Sequence, residues 1–326
     1  MIRLPPFRYL RPHTVAEAAA ALAEHPGEAM AIAGGTDLIP NLKRRQFDAK
    51  VLVALGHLAD LKTFMANGEI AIGAGMTLND VASRKVVAEM APALVEAVRQ
   101  IANPQIQRQG TIGGNLCVDT RCNYYNQTHE WRESIGFCLK RDGDICLVAP
   151  GSSKCWAVSS SDAAPVLMAL DARVVLVGCD GERAIPVRAL YQDDGIDYLT
   201  KRSDEILSKV LIPKNEGLKC TYRKVRRRGS FDFPVLGVAA AVIMDRNRIS
   251  RARLVLGAVH THPIEVDIAN ILEGRVLTDD RLDAVADAAF MAATPLDNTD
   301  LMYHWRKRIV RVEVRRAFQE LTRRDT

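Results

Sequence analysis

Four cysteines lie together in one polar stretch of the chain, and such a group of thiolates can hold a metal ion or an inorganic cluster. They are separated by 15, 7 and 8 residues, at Cys122, Cys138, Cys146 and Cys155. In a reducing compartment this clustering favours metal binding over disulfide formation. Four thiolates suit tetrahedral zinc or an iron–sulfur cluster, and the residue types alone leave both open.

The stretch that contains these cysteines, about residues 118–158, has no regular hydrophobic periodicity. A loop of this length inside a compact domain is unusual and indicates a functional role. The sequence has no C-x-x-C pair, which argues against a zinc ribbon. Two neighbours are weaker candidates as ligands. We expect Cys117 to pack in a sheet and His129 to be solvated.

Two glycine pairs are candidates for binding a phosphorylated ligand. Gly34-Gly35-Thr36 and Gly113-Gly114-Asn115 each follow a β-type run. Glycines leave backbone N–H groups uncovered, so such turns form nests for a diphosphate, and a nearby helix N-terminus adds a favourable dipole. Either pair alone is also explained by a tight turn. The presence of two such loops favours a ligand.

A third turn, Gly73-Ala74-Gly75, resembles the opening of a dinucleotide-binding fingerprint. The third glycine of that fingerprint is missing, because Leu78 stands where it is needed for helix packing. We therefore interpret this turn as a structural bend and not as a nicotinamide site.

Hydrophobic periodicity and turn signals predict the elements that position these residues. Thr14 and Glu17 form a capping box at the start of the first helix, and Thr77 with Asp80 caps another. Val310, Val314, Phe318 and Leu321 share one face of a C-terminal helix, which is typical of core packing. The basic run 223–228 is typical of a charged surface. We expect strands at 30–33, 51–54, 69–73, 173–177, 210–213, 235–244 and 252–258, and helices at 14–24, 91–101, 162–170, 265–272, 279–292 and 300–322.

Composition limits the class of protein. The 326 residues are 48% hydrophobic and 25% charged, as in ordinary globular proteins, with room for two or three domains. The net charge of +5 comes from short clusters and not from a continuous basic stripe, so we expect no nucleic acid partner. The apolar runs are too short for a membrane helix and the start lacks a signal-peptide pattern. We expect a cytoplasmic protein with no membrane association.

Taken in order and spacing, four motifs resemble the FAD-binding medium subunit of the xanthine dehydrogenase and carbon monoxide dehydrogenase family. The resemblance covers essentially the whole chain, and the motifs are specific only when taken together. They are Ala33-Gly34-Gly35-Thr36-Asp37, Thr111-Ile112-Gly113-Gly114-Asn115, Ser161-Asp162-Ala163-Ala164-Pro165-Val166-Leu167 and Tyr222-Arg223-Lys224-Val225.

The resemblance implies an α+β protein with a PCMH-type FAD-binding fold of two α/β subdomains, followed by a C-terminal domain with a small antiparallel sheet and helices. The implied FAD-binding domain is 1–215, with subdomains at about 1–56 and 57–215. The C-terminal domain is 216–326.

The same resemblance implies noncovalent FAD. Asp162 and Lys224 are implied to contact the ribityl chain or the isoalloxazine, and Ile101 and Leu207 to make further flavin contacts. The diphosphate and ribityl chain are implied to lie against Met30, Ala31, Ile32, Ala33, Gly34, Gly35, Thr36, Asp37, Thr111, Ile112, Gly113, Gly114 and Asn115.

Most of this family lacks the excursion at about 118–158, which is similar to the one in the 4-hydroxybenzoyl-CoA reductase branch. That similarity implies a [4Fe-4S] cluster on Cys122, Cys138, Cys146 and Cys155. It also implies reductive dehydroxylation of 4-hydroxybenzoyl-CoA to benzoyl-CoA at a molybdenum cofactor on a large partner subunit. This chain would then contain no catalytic acid or base.

The implied electron path runs from ferredoxin through the [4Fe-4S] cluster and FAD to [2Fe-2S] clusters on a small subunit, in a dimer of heterotrimers. Two alternatives stay open. The chain could be the FAD subunit of another molybdenum hydroxylase that passes electrons to NAD or another acceptor, or it could be a zinc-stabilised FAD-binding scaffold.

Overall fold

A computed structural model of the chain describes residues 3–323, whose backbone forms three sheets with helices packed against them. The strands are β1 (Arg8–Leu10), β2 (Ala29–Ile32), β3 (Val51–Ala54), β4 (Phe64–Ala66), β5 (Glu69–Gly73), β6 (Arg173–Gly178), β7 (Gly181–Pro186), β8 (Ile206–Pro213), β9 (Leu218–Val225), β10 (Leu236–Asp245), β11 (Arg248–Gly257) and β12 (Ile264–Val266). The helices are α1 (Val15–Ala23), α2 (Leu38–Lys43), α3 (Leu78–Ser83), α4 (Lys85–Met90), α5 (Pro92–Arg99), α6 (Pro104–Gln107), α7 (Ile112–Leu116), α8 (His129–Ser134), α9 (Ala163–Ala169), α10 (Ala269–Leu272), α11 (Asp279–Ala292) and α12 (Tyr303–Arg323).

The first sheet is small and parallel, with strand order β1-β3-β2. Its central strand β3 is buried along its whole length, as the apolar run at 51–54 predicts. Helix α1 packs Val15 and Leu22 against the sheet. Strand β2 is an edge strand and stays half-exposed, so the loop that follows it lies at the surface.

The second sheet is antiparallel, in the order β4-β5-β8-β6-β7. Its core is shared with helices α3, α5, α7 and α9, so the segments on both sides of the cysteine-rich excursion belong to one packed unit. The excursion leaves this unit after α7 and returns to it before α9.

The third sheet, β12-β11-β10-β9, is antiparallel and buried on both faces. Alternate residues of β10 point to opposite sides. Val238 and Ala240 contact the core formed with α11 and α12, whereas Ala239 and Ala241 belong to the core of the second sheet. The continuous apolar run at 235–244 therefore reflects a strand enclosed between two layers.

Threonine side chains fix the starts of several helices, because each hydroxyl accepts a hydrogen bond from a backbone N–H that has no partner in the helix. The predicted caps at Thr14 and Thr77 are confirmed. The same geometry occurs at Thr111, Thr128 and Thr278.

Several sequence predictions need correction. Residues 113–115 lie in helix α7 and not in a strand-to-turn junction, since Thr111 caps a helical turn there. The run 223–228 is not simply a charged surface, because its first residues end β9, where Lys224 is fully buried. A helix was predicted at 265–272, but residues 264–266 form β12, and in that range only α10, at 269–272, is helical. The hairpin strand β7 and helix α8 were also unforeseen.

In the part of the chain that the structure describes, every helix is too short or too polar to cross a lipid bilayer.

The apolar face of α12 should be essential for the C-terminal core. Phe318 is fully buried among β10, β11 and α11 residues. Phe318→Ala should lower the free energy of unfolding by about 3–5 kcal/mol, because it removes apolar contacts and leaves a cavity. Denaturant titration measures this change. Val312→Ala, on the exposed side of the same helix, should change stability by less than about 0.5 kcal/mol. Equal effects of the two variants would contradict the assigned face.

Candidate functional site

The loop after β2 presents a row of unpaired backbone donors. Within residues 3–323, no protein acceptor takes a hydrogen bond from the N–H groups of residues 34–38. Gly35 has a φ of 68°, a conformation that glycine adopts without strain. Free N–H groups in a turn of this kind form a concave site for an anion, and a diphosphate is such a ligand.

Glycine is required in this loop for a second reason. A Cβ at Gly34 would overlap the backbone carbonyl of Gln109, and a Cβ at Gly110 would lie 3.4 Å from the Thr36 hydroxyl. The loop after β2 therefore packs directly on the segment that leads into α7. The structure thus brings the two predicted glycine segments next to each other.

The second glycine segment uses its own N–H groups internally. The N–H of Ile112 donates to Met76 O, that of Gly113 to Ala74 O, and that of Gly114 to the Thr111 hydroxyl. A Cβ at Gly113 would lie 2.6 Å from the Cβ of Ala74, so this glycine permits close packing. Gly114 is exposed. This segment therefore offers a bare surface at Gly114 and not a second nest of free donors.

Asn115 and Asp162 connect α7, α9 and β9. The Asn115 amide oxygen accepts hydrogen bonds from Ser161 Oγ and Ala163 N, at 2.9 and 3.2 Å. Asp162 accepts from Tyr222 Oη at 2.7 Å and from Lys224 Nζ at 2.9 Å. These contacts join the start of α9 to the C-terminal sheet.

Asp162 and Lys224 form an ion pair that is closed to solvent, with side chains 3% and 0% exposed. Burial raises the pKa of Asp162, although the ammonium of Lys224 opposes this shift. Burial likewise lowers the pKa of Lys224, against the effect of the carboxylate. Lys224 Nζ also donates to Gln100 O at 2.9 Å. Both groups are therefore already paired within the protein, and their contact with flavin stays a prediction.

The other residues expected to contact FAD fall into two groups. Met30 to Asp37 lie along the half-exposed edge formed by β2 and its loop, with Ala31 the most open. Ile101 and Leu207 are buried in the core of the second sheet, at 9% and 6% exposure.

The excursion brings its four cysteines together in a buried group. All four thiols are free and at most 8% exposed. Burial, together with the nearby Cys155 and Cys138, raises the pKa of Cys122 to about 12. Burial also raises the pKa of Cys155 to about 11, with added effects of Cys146 and Cys138. A positive metal centre would reverse these shifts, because a coordinated thiol loses its proton.

The cysteine group is wider than a site for one ion. Among the described residues, one set of three or more His, Cys, Asp or Glu side chains has its ligand atoms all within 4.8 Å of one another. That set is Asp193, His260 and His262, and it includes no cysteine. Tetrahedral zinc with Zn–S bonds of about 2.3 Å would hold its sulfur atoms roughly 3.8 Å apart.

The excursion is attached to the loop that carries the free donors. Arg121 forms an ion pair with Asp37. Gln46 Nε2 donates to Tyr125 O at 2.6 Å. These contacts place the cysteine segment beside the loop that follows β2.

A buried arginine and a buried lysine hold the rest of the excursion. Arg132 donates to the carbonyls of Arg44 and Arg45 at 2.8 and 2.9 Å. Lys140 Nζ pairs with Asp119 Oδ1 at 2.6 Å and donates to Gly195 O at 2.8 Å. Sequence reasoning missed both, since charged residues in a polar loop give no signal of burial.

Cys117 and His129, the two weaker ligand candidates, have surroundings other than those the sequence predicts. Cys117 does not pack in a sheet but follows the last turn of α7, half-buried against the core. His129 is half-buried and not solvated, because it begins α8 and its ring lies 5.6 Å from that of Phe137. Its Nδ1 is buried and has no hydrogen-bond partner among the described residues.

Comparison with known proteins now defines the class. Residues 5–215 match the family described as the FAD binding domain in molybdopterin dehydrogenase, and residues 220–321 match the CO dehydrogenase flavoprotein C-terminal domain. Since these matches cover nearly the whole chain, the protein belongs to the FAD-binding family of molybdopterin dehydrogenases. The α+β fold inferred from the sequence is confirmed.

Individual relatives match over almost their full length. The glyceraldehyde dehydrogenase medium chain of Sulfolobus acidocaldarius is 27% identical, with 97% of this chain and 99% of the relative covered. An aldehyde oxidoreductase FAD-binding subunit of Escherichia coli is 31% identical, with 89% and 91% covered. The structure of carbon monoxide dehydrogenase from Hydrogenophaga pseudoflava superimposes with a TM-score of 0.82 at 23% identity, over 99% of each chain.

The exposed surface at Gly114 is predicted to face FAD. Gly114→Val should lower the FAD content of the purified protein at least tenfold, because a branched side chain would fill the space that the ligand approaches. Absorbance of released flavin per chain measures the loss. Gly229→Val is the control, since a Cβ at that glycine would meet no atom within 4 Å, whereas one at Gly114 would lie 3.0 Å from the Thr111 hydroxyl. FAD content equal in both variants would remove Gly114 from the binding surface.

Proposed function

We propose that this chain is the FAD-binding subunit of a molybdenum-containing oxidoreductase complex, and that it also holds a [4Fe-4S] cluster on Cys122, Cys138, Cys146 and Cys155. The observation that carries this proposal is a buried group of four free thiols in an excursion tied directly to the loop with unpaired donors. One subunit would then keep two redox centres close together.

The residues present fit FAD. Five consecutive N–H groups at 34–38 have no protein acceptor in the described chain, and they would satisfy the diphosphate oxygens. Because Gly34 and Gly110 have no side chains, the loop after β2 and the segment before α7 can pack directly against each other. FAD, when bound, supplies the ability to take up two electrons and release them one at a time.

The cysteine group fits an iron–sulfur cluster better than one zinc ion. Among the described residues, no three of these thiols lie within 4.8 Å of one another, which leaves room for a centre of several atoms, whereas a single zinc ion would hold its sulfur atoms roughly 3.8 Å apart. The apolar side chains packed among them, including Tyr125 and Ala157, exclude water from the site. This favours a redox centre over the zinc-stabilised scaffold.

The names of the relatives support a place in a complex of several subunits, since they are a medium chain and an FAD-binding subunit. We propose that the molybdenum cofactor lies on a large subunit and [2Fe-2S] clusters on a small one, in a dimer of heterotrimers. The substrate would react on the large subunit. We therefore assign no catalytic acid or base to this chain, whose contribution is electron transfer.

Our proposal for the reaction is reductive dehydroxylation of 4-hydroxybenzoyl-CoA, with ferredoxin as donor in the cytoplasm. The support is the excursion, because an extra cluster beside the flavin suits an inlet for a one-electron carrier. The second candidate is electron transfer from FAD to NAD or another acceptor. It is favoured by the relatives, which are named as dehydrogenases and an oxidoreductase of glyceraldehyde, carbon monoxide and aldehydes.

The ligand set can be tested by metal content. The anaerobically purified complex should contain, beyond the iron of the small subunit, about four iron and four acid-labile sulfide per FAD. Cys146→Ser should abolish most of this extra iron and leave the FAD content unchanged, because Cys146 is not among the residues predicted to contact FAD. Iron, sulfide and flavin analysis measures all three quantities.

Two controls sharpen this test. Cys220→Ser changes a buried thiol on β9, away from the excursion, and should leave the iron content unchanged. Cys117→Ser should do the same. Loss of iron in Cys117→Ser but not in Cys146→Ser would refute the assigned ligands, and zinc without extra iron in the parent complex would refute the cluster.

The direction of electron flow is tested by the choice of reductant. Under the main proposal, reduced ferredoxin should support formation of benzoyl-CoA from 4-hydroxybenzoyl-CoA by the intact complex, and Cys146→Ser should slow this at least tenfold. NADH should reduce the flavin slowly or not at all. Rapid reduction by NADH without any response to ferredoxin would establish the second candidate instead.

A further inference from the structure

A compact set of metal-binding side chains lies outside the four cysteines. His260 Nδ1 and His262 Nδ1 lie 3.1 Å apart. The carboxylate oxygen Oδ1 of Asp193 lies 3.4 Å from the first and 3.7 Å from the second. Within residues 3–323 it is the set whose ligand atoms come closest to enclosing one ion.

These three distances match the edges of a small coordination polyhedron. Zinc bound to histidine nitrogen and carboxylate oxygen at about 2.0–2.1 Å has ligand atoms roughly 3.3 Å apart when the geometry is tetrahedral. The observed values of 3.1, 3.4 and 3.7 Å lie on either side of that length. The hydroxyl oxygen of Thr261 stands at the fourth vertex of the set, 2.5 Å from Asp193 Oδ1, 3.0 Å from His260 Nδ1 and 3.3 Å from His262 Nδ1.

The surroundings prepare the ligands for a cation. The hydroxyl of Thr261, which is buried, donates to Asp193 Oδ1 at 2.5 Å. Hydrogen bonds of this kind orient the ligands around a metal.

The positive charge of Lys154 would repel a bound metal ion, but this ammonium has two partners of its own. Lys154 Nζ lies 2.5 Å from Asp193 Oδ2, whereas the histidine contacts are made by Oδ1. The same ammonium lies 4.1 Å from the centre of the Trp156 ring. Metal on Oδ1 therefore leaves Lys154 in place on the other oxygen and over the indole.

The three side chains come from separate parts of the fold. Asp193 lies two residues before Gly195. The N–H of Gly195 donates to Cys155 O at 2.9 Å, which links this segment to the end of the cysteine excursion. His260 and His262 follow β11 of the C-terminal sheet, and the ring of His260 contacts that of Trp156 at 5.4 Å. An ion here would join the end of the cysteine excursion to the C-terminal domain.

We propose that Asp193, His260 and His262 bind one divalent zinc-type cation, which clamps the end of the cysteine excursion to the C-terminal sheet. The site is distinct from the thiol group, since its ligands are nitrogen and oxygen only. It does not depend on the proposed cluster or on the identity of the substrate.

The test uses the intact complex, dialysed first against Zn²⁺ and then against metal-free buffer. One zinc per chain should remain by elemental analysis. Its X-ray absorption should show nitrogen and oxygen neighbours at about 2.0–2.1 Å and none of the sulfur expected near 2.3 Å. His262→Ala and Asp193→Asn should each raise the Kd for Zn²⁺ more than about 100-fold, since even outer-shell changes cost about 10–100-fold.

His13→Ala is the matched control, since it removes an exposed histidine far from the site in sequence and should leave zinc binding unchanged. Iron content should stay unchanged in His262→Ala, which separates this site from the cysteines. Zinc that shows sulfur neighbours, or that is lost in Cys146→Ser and kept in His262→Ala, would overturn the proposal. So would the absence of retained zinc, because the histidines would then form a hydrogen-bonded pair only.

Discussion

The close approach of the Gly34 backbone to the carbonyl of Gln109 is the constraint on which the rest of the candidate site depends. A side chain at Gly34 would overlap that carbonyl, so only glycine allows the loop after β2 to pack against the segment that leads into α7. Because β2 is an edge strand, the loop after it meets no further strand, and its N–H groups keep no protein partner among residues 3–323. Close packing and unpaired donors therefore arise from the same turn, and this combination is what we propose for the binding of a diphosphate.

Buried charges then fix the other parts around this loop. The ion pair between Asp162 and Lys224 joins α9 to β9. A shift of the C-terminal sheet would separate the two groups and leave each as an unpaired buried charge, which is strongly unfavourable. Arg132 and Lys140 do the same for the excursion by donating to backbone carbonyls and to Asp119. An irregular segment with little apolar core of its own is held in this way by hydrogen bonds from charged groups. The four cysteines converge because their segment is anchored on both sides.

Local signals in the sequence were sufficient wherever one physical pattern dominated. The threonine caps at Thr14 and Thr77, the apolar run of β3 and the inner face of α12 all follow from hydrogen bonding or periodicity within a few residues. Prediction was wrong where a distant partner decides the structure. Lys224 is buried although it stands in a basic run, because Asp162 and Gln100 O, far away in the chain, pair with its ammonium.

The sequence by itself determined the family, the two glycine segments and the crowding of four cysteines in one excursion, since these depend on residue type and order. Only the tertiary structure decided which glycine segment keeps free donors, that Gly113 serves close packing against Ala74, and that Asp193 meets two histidines from another domain. The physical reason is that a backbone donor or an imidazole has no fixed role until its partners are known. Those partners lie tens of residues away, and the fold alone brings them within hydrogen-bonding or coordination distance.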